Sequence, residues 1–270
     1  MDIINSDIDH TRDVLNGIYT DNYSKIYFNS NEDINILFNN FNVNNKNGLS
    51  ILSSGDQAFH LLNRNVKNID LFDKNKLTIY YYYLRIWIIN YLNSFYPLED
   101  IDIQYISDLI NKVNPHNDQE KEVYDYWKMF ISVFPDFDIN SLFEKNNLYI
   151  NKIYNLDFLK SKLNNSFNFY NIDIKEEINL EKKYDFIYIS NVLEWIIRSK
   201  DDLCVVRDNL YNLLNEDGFV ICSNVCKNGN NGIGSLIFEK YFDCYRLPYV
   251  KMKDNNKYFS PGYCYTKKVR

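Results

Sequence analysis

Four places in the chain carry residue types suited to gripping a nucleotide-like ligand. Residues 53–56 are Ser53, Ser54, Gly55 and Asp56, small or turn-forming side chains that interrupt an apolar run. Asp73 closes a second apolar run, and Asp173 closes a third in the same strand-then-acid pattern. A fourth run stops at Ser190 and Asn191. Glycine lets backbone approach a ligand closely. The free N–H groups at a helix start favour a negatively charged group, and a carboxylate at a strand end can accept hydrogen bonds from both hydroxyls of a ribose. Asp73 is the candidate for that last role. A plainer reading stays open for each: Gly55 as a turn residue, Asp73 as an acid favoured at a helix N-terminus, Asp173 as a turn acid.

Such residues must be held by alternating strands and helices. Residues 48–52 are apolar and of strand length, 57–65 set Ala58, Phe59, Leu61 and Leu62 on one helical face, and 66–72 predict a second strand. A long helix begins at about Asn75. Its most apolar part, 77–92, has Arg85 in the middle and falls short of the roughly 20 apolar residues of a membrane span, so it reads as a core helix. Further on, 156–163 predict a short helix, 167–172 a third strand, 184–189 a fourth, 201–214 an amphipathic helix, 215–218 a turn and 219–225 a fifth strand. A helix at 235–241 and two antiparallel strands at 245–252 and 262–268, around a DNNK turn, complete the pattern. Residues 97–151 lack strand-like alternation and carry helical patterns at 101–113 and 120–134, so a helical insertion is expected there.

The lone glycine of the first turn is not the Gly-x-Gly-x-x-Gly fingerprint of dinucleotide sites, which takes support from a nicotinamide or flavin cofactor. One glycine followed by a strand-end acid better suits S-adenosylmethionine. Three segments, SILSSGDQAFHLL at 50–62, NIDLFDKNKLTIYYYYLRI at 68–86 and YDFIYISNVLEWI at 184–196, resemble the S-adenosylmethionine site of the 3-amino-3-carboxypropyltransferase family of betaine-lipid synthesis and its uncharacterised bacterial relatives.

The resemblance implies an α/β, methyltransferase-like Rossmann fold, a mostly parallel sheet with an antiparallel C-terminal strand pair. It implies that Ser54, Gly55 and Asp56, in the turn that Ser53 opens, lie around the methionine part of the cofactor and that Asp73 holds the ribose. In such a fold a polar residue after the third strand meets the adenine amino group, which makes Asp173 the candidate there. The end of the fourth strand faces the sulfonium centre, which places Ser190 beside the cofactor. Asn191 is then the catalytic candidate, its amide oxygen able to hold an acceptor N–H or O–H. Glu194, one helical turn on, is either a base or, the reading that leads, a carboxylate favoured by the helix dipole. Residues 1–45, with a helix at 31–41, would form a lid that brings Tyr19 or Tyr27 near the ligand, and simple packing of these tyrosines is the leading reading. Residues 97–151 would form a cap, in which His116, Asp118, Tyr124, Tyr126 and Trp127 are given no catalytic role. The loop at 226–234 lacks the ending of a P-loop and reads as a flexible active-site loop.

Composition bounds these expectations. A chain of 270 residues, 46% hydrophobic, suits a single catalytic domain over 1–270. The net charge of −6 argues against a broad phosphate-binding surface, so nucleic acid is disfavoured and a small-molecule acceptor of unknown identity is expected. No basic amphipathic helix is evident, which sets a lipid acceptor behind a soluble one. The opening MDIINSDIDH lacks a basic-then-apolar pattern, so no signal peptide and a cytoplasmic location are expected. The five cysteines are expected to be reduced, and Cys222 and Cys226 lack a second ligand pair, so no metal is expected. The activity expected from the resemblance is S-adenosylmethionine-dependent transfer of the 3-amino-3-carboxypropyl group. Methyl transfer to a small molecule and a non-catalytic, cofactor-binding regulatory or scaffold role stay as alternatives.

Overall fold

The computed structural model describes residues 2–18, 26–27, 34–92, 102–144, 155–163, 167–190, 192–222, 240–246, 250–251, 258–259 and 263–268. In chain order its elements begin with α1 (Asp2–Leu15), β1 (Ile26–Tyr27), α2 (Ile34–Phe38), β2 (Asn47–Ile51), α3 (Asp56–Asn63), β3 (Asn68–Asp73) and α4 (Leu77–Leu92). There follow α5 (Ile103–Ile110), α6 (Asp118–Val133), a 3-10 turn at Ile139–Leu142, β4 (Phe143–Glu144), α7 (Leu156–Leu163), β5 (Phe169–Asn171), β6 (Tyr184–Tyr188) and α8 (Val192–Ile196). The last are α9 (Lys200–Leu213), β7 (Leu214–Cys222), β8 (Phe242–Arg246), β9 (Val250–Lys251), β10 (Tyr258–Phe259) and β11 (Tyr263–Lys267). The chain divides into two units, one of Met1–Asn31, Leu52–Asp56 and Asn75–Ser166, the other of Glu32–Ile51, Gln57–Lys74 and Phe167–Arg270.

The second unit is built on a seven-stranded sheet in the order β5-β3-β2-β6-β7-β11-β8. The five strands from β5 to β7 are parallel, and β11 runs antiparallel to both β7 and β8. This is the methyltransferase-like α/β fold. The chain winds outward from β2 through β3 to β5, then returns to β6 and continues to β7, so its direction reverses between β2 and β6. In open α/β sheets, ligands bind outside the carboxyl ends of the strands at such a reversal. The strands are apolar because parallel sheets are buried on both faces: Leu49, Leu71, Phe72, Phe186, Ile187, Val220 and Ile221 are all in the core. Gly48 pairs with Phe186, and a Cβ at Gly48 would lie 2.2 Å from that ring's Cζ. The sheet also holds a buried carboxylate. Asp70 on β3 accepts from the Tyr184 hydroxyl at 2.8 Å, the Lys182 ammonium at 2.6 Å and the Asn168 backbone and side-chain N–H groups at 3.2 Å each. Burial, and then Asp70, push the Tyr184 phenol well above its ordinary pKa.

The first unit is largely helical. Every residue of α4 from Leu77 to Ile89 is buried, as an all-round apolar helix requires. α6 packs against α1, α4 and α5. The Tyr80 and Tyr126 rings stack at 3.9 Å between centroids, and the Trp127 indole N–H donates to the Tyr80 carbonyl at 3.0 Å. Lys76 ties α1 to α6 through Asp7 and Glu122, each at 2.8 Å. Among the described residues, no helix is long and apolar enough to cross a membrane.

Several expected boundaries move for identifiable reasons. α6 starts at Asp118 because the Asn117 side chain caps it, accepting from the Glu120 N–H at 2.8 Å. α9 starts at Lys200 because Ser199 and Asp202 form a reciprocal capping box. Residues 215–218 are not a turn ahead of a strand. β7 already begins at Leu214, which pairs with Tyr184, and the next pairing is Phe219 with Phe186, so 215–218 form a bulge within the strand. Where a strand was expected at 245–252, β8 begins at Phe242 and ends at Arg246, and the two residues of β9 pair antiparallel with those of β10. A helix occupies Asp2–Leu15, where the expected lid segment was given no helix, and the helix expected at 31–41 is described only as Ile34–Phe38. The insertion also holds a strand: two-residue β4 pairs in parallel with β1 and is too short to show a period.

Candidate functional site

β2 runs directly into the turn at 52–56. The Gly55 N–H donates to the Leu52 carbonyl at 2.7 Å, closing the turn. Ser53 has φ +48° and Gly55 φ +84°. Glycine adopts that conformation freely, whereas at Ser53 it costs on the order of 1 kcal/mol or more and persists only where the surroundings impose it. Those surroundings come from α4. Nη1 of Arg85 donates to the Ser54 carbonyl at 2.7 Å and lies 2.7 Å from Oδ1 of Asp56, with the two charged side chains 1% and 3% exposed. Burial disfavours the charged guanidinium, but Asp56, helped by Tyr81 and Tyr82, holds its pKa above the ordinary value. Asp56 also opens α3, where a carboxylate favours the helix dipole.

In the second unit, Asp73 is the half-buried last residue of β3 and pairs in register with Asn171. The Asn171 amide donates to the carbonyls of Asp73 at 3.0 Å and Lys74 at 2.9 Å, fixing the strand end. Asp173, two residues past β5, accepts from the Lys175 N–H through Oδ1 at 3.0 Å and pairs through Oδ2 with Lys74 at 3.1 Å. It caps its own turn while the ion pair ties it to the end of β3. Ser190, two residues past β6, is buried with φ +53°, and the Ile189 N–H before it donates to the Ile221 carbonyl at 3.0 Å. Asp73, Asp173 and Ser190 thus come to one edge of the sheet, the carboxyl edge of β3, β5 and β6. Asn191, Tyr19 and the loop at 226–234 lie outside the described residues, and the described part of α8 fixes only the backbone of Glu194. Tyr126 and Trp127 are buried in the packing of α6.

Three residues escaped the sequence reading of the site. Arg85 was weighed only against a membrane span, although one cation inside a buried apolar helix signals a buried anion. Asp70, mid-strand in an apolar run, signals buried hydrogen-bond partners in the same way. Gly48 carries no signal, because only the sheet reveals the ring opposite it. Among the described residues, no three His, Cys, Asp or Glu side chains cluster as a metal site.

No protein-family model matches the chain, and no curated protein matches it. Among solved structures, the chain is similar to the N-methyltransferase NodS from Bradyrhizobium japonicum WM9, at 9% identity over 87% of this chain and 92% of that one, with a TM-score of 0.45. It is similar to the glycopeptide N-methyltransferase MtfA, at 7% identity over 88% and 96% of the two chains, with a TM-score of 0.47. It is also similar to magnesium protoporphyrin IX methyltransferase from Synechocystis PCC 6803 with bound SAM, at 10% identity over 100% and 85%, with a TM-score of 0.43. Likeness at this level adds no weight of its own, and the strand order carries the fold.

Proposed function

We propose that this protein is an S-adenosylmethionine-dependent transferase that moves the 3-amino-3-carboxypropyl group to a small-molecule acceptor. The observation that carries the cofactor is the winding reversal between β2 and β6, with a half-buried acid ending β3 and a left-handed Ser190 just past β6. Those residues fit the cofactor. Asp73 would accept from the two ribose hydroxyls, Asp173 would use its remaining lone pairs for the adenine amino group, and Ser190 would border the sulfonium end. The turn from Ser53 to Asp56 would hold the methionine part through its backbone, since the Ser54 and Asp56 side chains are themselves buried. Asn191 would hold the acceptor N–H or O–H. When bound, S-adenosylmethionine supplies a sulfonium with three activated carbons, and the protein's part is to position the acceptor against one of them. In this reading residues 1–270 act as a single domain, with 1–45 as lid and 97–151 as cap.

Calorimetry tests the cofactor. The protein is expected to bind S-adenosylmethionine, and Asp73→Ala to weaken binding by about 3 to 6 kcal/mol, from two hydrogen bonds to a charged acceptor at roughly 1.5 to 3 kcal/mol each. Unchanged affinity in the variant removes Asp73 from the site. The transferred group is read from the nucleoside left behind. Acceptor-dependent 5′-methylthioadenosine is the expected product in cell extract, whereas S-adenosylhomocysteine without it would make the protein a methyltransferase.

A further inference from the structure

We propose that Arg85 is a positioning residue of the cofactor turn, and that Asp56 serves that turn by holding Arg85, not by touching the ligand. The inference deepens the cofactor reading above and rests on it. Nη1 of the guanidinium is shared between two groups of one five-residue turn, the Ser54 carbonyl and the Asp56 carboxylate, each at 2.7 Å. Both acceptors flank Gly55, whose N–H bond to Leu52 and φ of +84° give the turn its shape. The clamp bears directly on the residues that must present backbone to the ligand. Its cation belongs to α4, a helix buried from Leu77 to Ile89, so it is anchored in packing that has no freedom to follow the turn. Tyr81, also fully buried, faces the guanidinium at 5.8 Å from ring centroid to Cζ and helps keep it in place. A lysine cannot substitute fully, because a point charge on a flexible stem lacks the planar donor geometry of the guanidinium.

A purely structural ion pair and a positioning clamp make different predictions. Replacing both members of a buried pair with apolar residues of similar size commonly leaves stability intact. Arg85→Met with Asp56→Leu therefore removes the clamp while keeping the fold, and Arg85→Lys keeps a charge in place if the double variant fails to fold. Three readouts are needed on the full chain: melting temperature, the Kd for S-adenosylhomocysteine by calorimetry, and amide exchange at Gly55 and its neighbours. The expected result is a melting temperature within a few degrees of wild type, Kd raised about tenfold or more, and Gly55 exchange faster by a similar factor. Arg85→Lys should fall between, at nearly unchanged melting temperature. Wild-type Kd in the folded double variant, or in Arg85→Lys if only that folds, overturns the proposal. If the wild type binds neither S-adenosylmethionine nor S-adenosylhomocysteine, the cofactor reading fails by itself. Exchange then decides the clamp: faster Gly55 exchange in the variants upholds it, and unchanged exchange overturns it.

Discussion

Gly48→Ala is expected to be among the most damaging single-methyl additions in the sheet. The added Cβ would lie 2.2 Å from Cζ of Phe186 and 2.7 Å from Cε1 and Cε2. To restore an ordinary contact of 3.4 Å, the ring would have to retreat by about 1.2 Å. It has nowhere to go. Phe186 is fully buried and stacks on Phe219 at 6.0 Å, and Phe219 stacks in turn on Phe41 at 5.8 Å. Overpacking of this kind costs about 1 to 3 kcal/mol, and a rigid aromatic stack puts the value at the upper end. Against that, exchanging glycine for alanine in a strand returns about 0.5 to 1 kcal/mol by lowering chain entropy. The net expectation is a loss of roughly 2 kcal/mol, read as a lower urea midpoint at constant slope. A double-mutant cycle isolates the cause, because Phe186→Leu removes the far ring atoms that the methyl would strike. In that background Gly48→Ala should be close to neutral, giving a coupling of about 2 kcal/mol. Equal losses in both backgrounds would refute the clash and with it the close β2–β6 approach that delivers the chain to the turn.

Two other outcomes test the rest of the framework. Asp70→Ala removes the carboxylate that the Tyr184 hydroxyl and the Asn168 N–H groups donate to, so a loss of about 2 to 4 kcal/mol is expected in urea unfolding, with Asp70→Asn losing less; equal losses would show that hydrogen bonding is not its role. Burial, the leading cause at each, raises the phenol pKa of Tyr80, Tyr81, Tyr82, Tyr126 and Tyr184 in the folded chain. Against an unfolded value of about 10, that stabilisation is fully present below pH 10 and is lost as pH rises above it. Phenolate absorbance and far-ultraviolet circular dichroism should then change together in one cooperative step, and ionisation of all 24 tyrosines near pH 10 with the helical signal intact would refute it.

What the sequence made legible follows from the range of the forces involved. β2, α3, β3 and β6 came within a few residues of their expected bounds because each buries an uninterrupted or regularly spaced apolar set, and α7 occupies the expected 156–163. α1 did not stand out as a helix, because part of its buried face is polar. Thr11 is fully buried there, and its hydroxyl shares a hydrogen bond with Tyr126 far along the chain. The bulge at 215–218 looked like a turn because Asn, Asp and Gly suit both. The strand-end positions of Asp73, Asp173 and Ser190 could be named because a strand end is a local feature.

The Arg85 clamp shows where local reading stops. A guanidinium inside a helix buried from Leu77 to Ile89 must meet an anion, since an unpaired buried charge costs several kcal/mol. That much follows from the sequence of α4 alone. The two nearest preceding elements, α3 and β3, offer Asp56, Asp70 and Asp73 as the anion. Asp70 is committed to Lys182 and Tyr184, groups more than a hundred residues away, and Asp73 ends a strand half-exposed to solvent. Asp56 remains, and the structure pairs it with Arg85. The elimination works only after the partner of Asp70 is known, and no period or spacing encodes that partner. Burying Arg85 required an anion, and Asp56 is the one of these three acids that the structure places beside it.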